Sequence, residues 1–198
     1  TSGVLLMEAS PGTAFITSEQ TTSGISTSPG RTLTFSTSLP TTAFINPLTG
    51  EKPSVPIFLK VAPDLDFSEI ERVTEQARMY GMNAIIVSNT TLDRPASLKS
   101  IHKNETGGLS GTPLMKKSTE MLHEFAAASN GRIDLIGVGG IASGKDAYTK
   151  IRAGAKAVQL YSALVYEGPG LVTDIRRDLA ARLKADGFAS IAEAAEAD

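Results

Sequence analysis

The stretch Val55-Pro56-Ile57-Phe58-Leu59-Lys60-Val61-Ala62-Pro63-Asp64-Leu65-Asp66 decides how the rest of the chain is read. Its first seven residues are a mostly apolar run closed by Ala62-Pro63, as expected of a strand buried on both faces. Asp66 supplies an N-cap with Glu69 three residues on, and Ile70, Val73 and Ala77 form an apolar stripe that stops before Gly81, which predicts a helix. The strand-then-helix unit recurs downstream. Ala84 to Ser88 predicts the second strand, and after a long connection Thr112 and Pro113 supply the N-cap and first turn of a helix carrying Leu114, Met121, Leu122 and Phe125. Ile133 to Val138 predicts the third, followed by a short helix capped by Ser143 and stopped by Gly154. Ala157 to Leu160 predicts the fourth, followed by a helix from about Gly170 to Ala185 with Leu171, Ile175, Leu179 and Leu183 on one face, and Ser190 caps a last short helix.

Four successive βα units imply a parallel sheet with helices outside it, with chemistry gathered at the C-terminal ends of the strands. The residues before this region read differently. Residues 1–50 hold twenty Ser or Thr, and only Glu8, Glu19 and Arg31 are charged there, although the whole chain of 198 residues has 19 basic and 21 acidic side chains. Short apolar pieces, Val4-Leu5-Leu6-Met7 and Ala43-Phe44-Ile45, are separated by Ser/Thr/Gly/Pro stretches that favour turns and edge strands. Two regions are therefore expected: a Ser/Thr-rich, irregular or weakly β leader over 1–52, and an α/β unit over 53–198.

Composition excludes several classes. With no cysteine, disulfides, thiolate metal sites and a cysteine nucleophile are out. His102 and His123 are too few for a histidine-rich metal site, and His123 sits in a helical stretch as a solvated position, so no metal is expected. A net charge of -2 gives no global pull toward nucleic acid. No apolar run approaches the ~18 residues needed to span a bilayer, and the opening residues lack the order of a secretory signal.

The loops after the strands carry the functional signal. Lys60, inside an otherwise apolar strand, must either snorkel out at the strand end or meet an anion. Ser88-Asn89-Thr90-Thr91 offers four consecutive hydrogen-bonding side chains, suited to a small polar ligand or to an Asx-type turn. Gly107-Gly108-Leu109-Ser110-Gly111 lets backbone approach a ligand closely. The glycine-rich loop Gly137-Val138-Gly139-Gly140, with Tyr161-Ser162 after the next strand, forms the phosphate site typical of the last two strands of a (β/α)8 barrel. The expected fold is a partial TIM (β/α)8 barrel of about four C-terminal βα units.

Taken in order, Leu59 to Leu65, Val87 to Thr91, Gly107 to Gly111, Gly137 to Ile141, Gln159 to Tyr166 and the closing Gly187 to Ile191 resemble the C-terminal half of quinone-dependent (class 2) dihydroorotate dehydrogenases. The similarity runs over about residues 53–198. It implies FMN as cofactor, contacted by Lys60, Ser88, Gly111, Gly140, Tyr161 and Ser162, with Asn89 and Thr90 holding dihydroorotate. Lys60 would be the catalytic cation, stabilising negative charge on the reduced ring. The implied partners are dihydroorotate, orotate and a quinone. The implied location is peripheral, on the inner membrane of a bacterium (cytoplasmic side) or of a mitochondrion. The family's earlier units supply further substrate asparagines and a serine base, which residues 1–50 do not match. A truncated chain with a non-homologous leader is expected, inactive alone if that half is missing. Exposed sheet edges would then invite self-association. Two other readings remain open: a non-catalytic half-barrel that binds flavin or phosphate, and another phosphate-binding barrel enzyme using Lys60 as a Schiff-base lysine.

Overall fold

The protein is described here by a computed structural model covering residues 14–17, 25–27, 33–35 and 56–197. β4 (Ile57–Val61), β5 (Ala84–Val87), β6 (Asp134–Val138) and β7 (Ala157–Gln159) form a parallel sheet in sequence order, each followed by helix. This is the α/β arrangement expected of consecutive βα units. β1 (Ala14–Thr17) adds a fifth strand beside β4, also parallel, with Thr17 in register with Lys60. β2 (Ile25–Thr27) and β3 (Leu33–Phe35) form a separate antiparallel pair. The Ser/Thr-rich region thus contains short strands where β-branched and aromatic residues cluster. The apolar pieces at 4–7 and 43–45, and the boundary expected between 52 and 53, lie outside the described residues.

α1 (Phe67–Met79) starts in the expected capping box. Asp66 Oδ1 accepts from the Glu69 amide at 2.9 Å, and Glu69 Oε2 accepts from the Asp66 amide at 2.9 Å. α3 (Gly144–Arg152) opens on Ser143, whose hydroxyl accepts from the Asp146 amide at 3.1 Å. α5 (Gly170–Ala185) matches its expected range, and α6 (Ile191–Ala195) is capped by Ser190. Two local expectations change. Thr112 is not an N-cap: it begins a 3-10 turn, Thr112–Leu114, with Pro113 in its first positions, and α2 (Met115–Ser129) follows with no side-chain cap. A further short helix, α4 (Ser162–Glu167), fills the space between β7 and α5.

The sheet packs its two faces differently. Leu59, Val61, Ile85, Val87 and Leu135 meet Ile70 and Val73 of α1 and Met121, Leu122 and Phe125 of α2 in the main core. Phe125 and Leu122 are fully enclosed, each contributing about 1.5–3 kcal/mol of apolar burial. The opposite face carries Ala84, Ile86 and Ile136, with Phe58 and Val138 partly buried beside them. β4 is therefore buried on its helix side and only half-buried at Phe58 and Lys60, an alternation its apolar run did not show. That alternation puts Lys60 on the face away from the helices, in register with Ile86 of β5.

Candidate active site

Lys60, Ser88, Asn89, Thr90, Gly111, Gly140, Tyr161 and Ser162 all line one cleft of about 370 Å³ at the C-terminal end of the parallel strands. Lys60 comes from β4 itself and the others from the segments that follow β5, β6 and β7, so it is the sheet that gathers them. The volume is within the range of small-molecule sites.

Each loop is held in place by its own contacts. After β5 the peptide joining Val87 to Ser88 is cis, Ser88 is buried, and its hydroxyl donates to the Asn89 carbonyl at 3.0 Å. The Asn89 amide donates to the Val61 carbonyl at 2.7 Å, which continues the β4–β5 ladder into the loops. Thr91 and Leu109 then exchange backbone hydrogen bonds of 3.1 and 2.7 Å. This folds the glycine pair over Thr90. A Cβ at Gly108 would stand 1.9 Å from Thr90 Oγ1, so only glycine permits that approach. Part of the glycine signal therefore serves packing against a cleft residue.

The excursion between Thr91 and Gly107 is organised by Arg94, which sequence reading did not single out. Its guanidinium donates to the carbonyls of Leu92, Asp93, Lys103, Glu105 and Gly107 at 2.6 to 3.2 Å. An always-charged fork of donors suits a cluster of carbonyls, but no spacing in the sequence reveals it.

A second unanticipated group lies beside the cleft. Asp64 accepts from Thr91 Oγ1 at 2.6 Å and from the Leu92 amide at 3.3 Å, and Lys117 on α2 donates to both Asp64 and Asp93. Burial pushes the Asp64 carboxyl up, but the Lys117 ammonium, the Thr91 hydroxyl and the Leu92 amide outweigh it and hold it below its ordinary value. Burial likewise presses Lys117 down, and its two carboxylate partners carry it above its ordinary value.

The far wall is built from the glycine loop after β6 and the residues after β7. Gly140 has φ +80°, and a Cβ there would lie 2.4 to 2.6 Å from Met115, so the loop sits directly on the first residue of α2. Ser162 Oγ lies 2.9 Å from Ser110 Oγ, joining the wall after β7 to the loop before α2. A Cβ at Gly111 would meet only Pro113 and Ser162, at 3.9 Å, and its absence widens the cleft beside those hydroxyls. Tyr161 is about half exposed at the mouth.

The donor set has two ends. Backbone at Gly111, Gly139 and Gly140 with the Ser110 and Ser162 hydroxyls suits a phosphate group, whereas Lys60, Ser88, Asn89 and Thr90 suit a polar ring system bearing negative charge. The residues present therefore fit a ligand that carries a phosphate at one end and polar, negatively charged groups at the other.

The model of the family described as dihydroorotate dehydrogenase matches residues 15–183. Among curated proteins, the dihydroorotate dehydrogenase (quinone) of Xanthobacter autotrophicus is 61% identical over 143 residues, covering 72% of this chain and 40% of that protein. The protein of the same name from Parvibaculum lavamentivorans is 51% identical over 151 residues, covering 76% of this chain and 43% of that protein. Among solved structures, DHODH from Eimeria tenella in complex with ferulenol has a TM-score of 0.68 at 40% identity, covering 74% of this chain and 38% of that chain. The chain thus spans about 40% of the length of the curated relatives it matches. The family match over residues 15–183 includes every residue that lines the cleft, and with the relatives' identity it shows that the chain belongs to the dihydroorotate dehydrogenase family.

Proposed function

We propose that the cleft holds FMN and that the protein oxidises dihydroorotate to orotate with a quinone as the final electron acceptor, a step of de novo pyrimidine synthesis. The observation that carries this reading is the convergence of eight residues, Lys60 of β4 and seven from the segments after β5, β6 and β7, on one cleft at the C-terminal ends of the strands. Gly111, Gly140, Tyr161 and Ser162 form its phosphate end, and Ser88 and Lys60 its ring end. Asn89 and Thr90 present an amide and a hydroxyl to the polar edge of dihydroorotate. FMN, when bound, supplies the hydride acceptor. Lys60 sets a fixed positive charge where negative charge collects as the ring is reduced, and such preorganised charge is worth about 10²–10³ in rate. Asp64, Thr91 and Lys117 keep the two loops that flank Lys60 and Asn89 in register.

The names of the relatives specify a quinone, and an acceptor of that class dissolved in lipid favours peripheral association with the inner membrane. Among the described residues no helix is long and apolar enough to cross a membrane. Residues 53–198 are read as the barrel-derived unit. The five-stranded sheet ends in β1 on one side and β7 on the other, and these edges are where a second copy would pair. The same open sheet favours the second reading, a flavin-binding half-barrel without turnover.

Reduction of a soluble quinone analogue by dihydroorotate, followed with the FMN-loaded chain, tests the proposal. The expected result is turnover in a yellow protein, with flavin reduction slowed about 10²-fold by Lys60→Ala. Yellow protein without turnover supports the second reading, and unchanged reduction kinetics in Lys60→Ala contradict the role given to that lysine.

A further inference from the structure

Lys150 is completely enclosed, a rare position for an ammonium group. It falls on the buried stripe of α3 with Ala147 and Ile151. Its stem runs past Gly137, where an added Cβ would come within 3.1 Å of Lys150 Cβ, so the glycine makes room for it. Its Nζ donates to Ser118 Oγ on α2 at 2.6 Å. Ser118 Oγ in turn lies 3.1 Å from the Gly139 carbonyl and 2.8 Å from the Leu114 carbonyl, and both of those residues line the cleft. Two hydrogen bonds therefore separate the lysine from the wall assigned to the phosphate.

Ser118 from α2 and Gly137 from β6, with Ala155 and Leu122 packed beside that glycine, bring no charge to Lys150. Burial pushes the amine down to about 7, against the pull of Asp146 one turn earlier on its own helix. An ammonium can only donate, so when Lys150 is charged the Ser118 oxygen accepts and its own proton must point to a backbone carbonyl at Gly139 or at the start of α2. The charge state of one side chain thus bears on both backbone segments that frame the phosphate end.

We propose that Lys150 is a positioning residue for the phosphate cradle, and that docking of a phosphate group at the Gly139-Gly140 loop charges Lys150, so that binding takes up a proton. This rests on the reading of the cleft as an FMN site. A dianion close to a buried amine favours its charged form, and by linkage the charged form holds the dianion more tightly. The sign follows: the complex holds more protons than its separate parts, so affinity falls as pH rises above neutrality.

Calorimetric titration of the full chain with FMN at pH 7.5, in two buffers of different ionisation enthalpy, tests the inference. The FMN phosphate, with a second pKa of about 6, is already a dianion there. Uptake on the order of half a proton is expected with FMN and none with riboflavin, and FMN affinity should fall roughly tenfold between pH 7.5 and pH 9. Lys150→Met should remove both the uptake and the pH slope. Replacing a buried amine by an apolar chain of similar volume should leave the melting temperature unchanged or raised, which shows that the variant folds. Ser118→Ala, which cuts the link and keeps the lysine, should weaken FMN binding and reduce the uptake. FMN binding without uptake in the native chain, or with the same uptake in both variants, overturns the inference alone. Absence of FMN binding at every pH contradicts the flavin reading and overturns the inference with it.

Discussion

The carboxylate of Asp64 accepts a 2.6 Å hydrogen bond from the hydroxyl of Thr91, and this contact ties the loop that leaves Lys60 to the loop that carries Asn89 and Thr90. Lys117 reaches in from α2 to the same carboxylate and to Asp93. Three elements of the sheet-and-helix layer are thereby joined next to the cleft, by side chains about a quarter to a third exposed at Asp64 and Lys117.

Lys117→Met should therefore destabilise the chain by about 1–3 kcal/mol at pH 7, because it leaves Asp64 without its cation. The pH dependence has a defined sign. The Asp64 carboxyl is held below its ordinary value of 3.8, so its contribution is complete at neutral pH and is lost as pH falls below the ordinary carboxylate range. Thermal melts of the native chain and the variant should differ most near pH 7 and converge toward pH 3. A constant difference across that range would contradict the pairing.

Gly140→Ala places a methyl group within 2.4 to 2.6 Å of Met115, including its backbone, at a φ of +80° that alanine disfavours. Neither neighbour is the far end of a flexible chain, so the loop must move. The expected cost is about 2–4 kcal/mol, read as a lower melting temperature, with flavin binding lost even at temperatures where the variant is folded. A variant that melts and binds like the native chain would show that the loop does not rest on α2.

Lys150 predicts a rise in stability with alkali. Its folded value of about 7 lies below its ordinary 10.5, so between those values the unfolded chain binds more protons and stability increases with pH. Lys150→Met removes that term. Its melting temperature should exceed that of the native chain most clearly at pH 6.5, and the gap should narrow by pH 9. An unchanging gap would mean that Lys150 stays charged when folded.

Much of this architecture is legible in the sequence because it depends on local signals. Asp66 with Glu69, Ser143 before Gly144 and Ser190 before Ile191 announce helix starts, and the apolar runs at Ile57, Ala84 and Leu135 announce strands. The cleft is legible for a related reason: in parallel βα folds the loops at one end of the sheet converge, which points to the segments after the strands, while the choice of Lys60, Ser88, Gly140 and Ser162 within them follows from the family resemblance. Thr112 misled, because Pro113 favours a 3-10 turn opening at Gly111 over a side-chain cap. Lys117 and Arg94 left no trace, since their partners lie in loops brought near only by the tertiary fold. β1 lay in a composition that masks strands, and it is pairing with β4 that reveals it. Lys150 did leave a trace: it stands on the apolar stripe between Ala147 and Ile151, where a lysine calls for a buried partner.

The most direct measurement is the affinity of the native chain for FMN beside riboflavin, followed by quenching of flavin fluorescence at pH 7. The expected result is saturable binding of FMN, tighter than riboflavin by at least about tenfold, because charge-assisted hydrogen bonds to a phosphate contribute about 1.5–3 kcal/mol each. Equal affinities, or no binding of either, would contradict the assignment of the Gly111, Gly140 and Ser162 wall to a phosphate-bearing flavin.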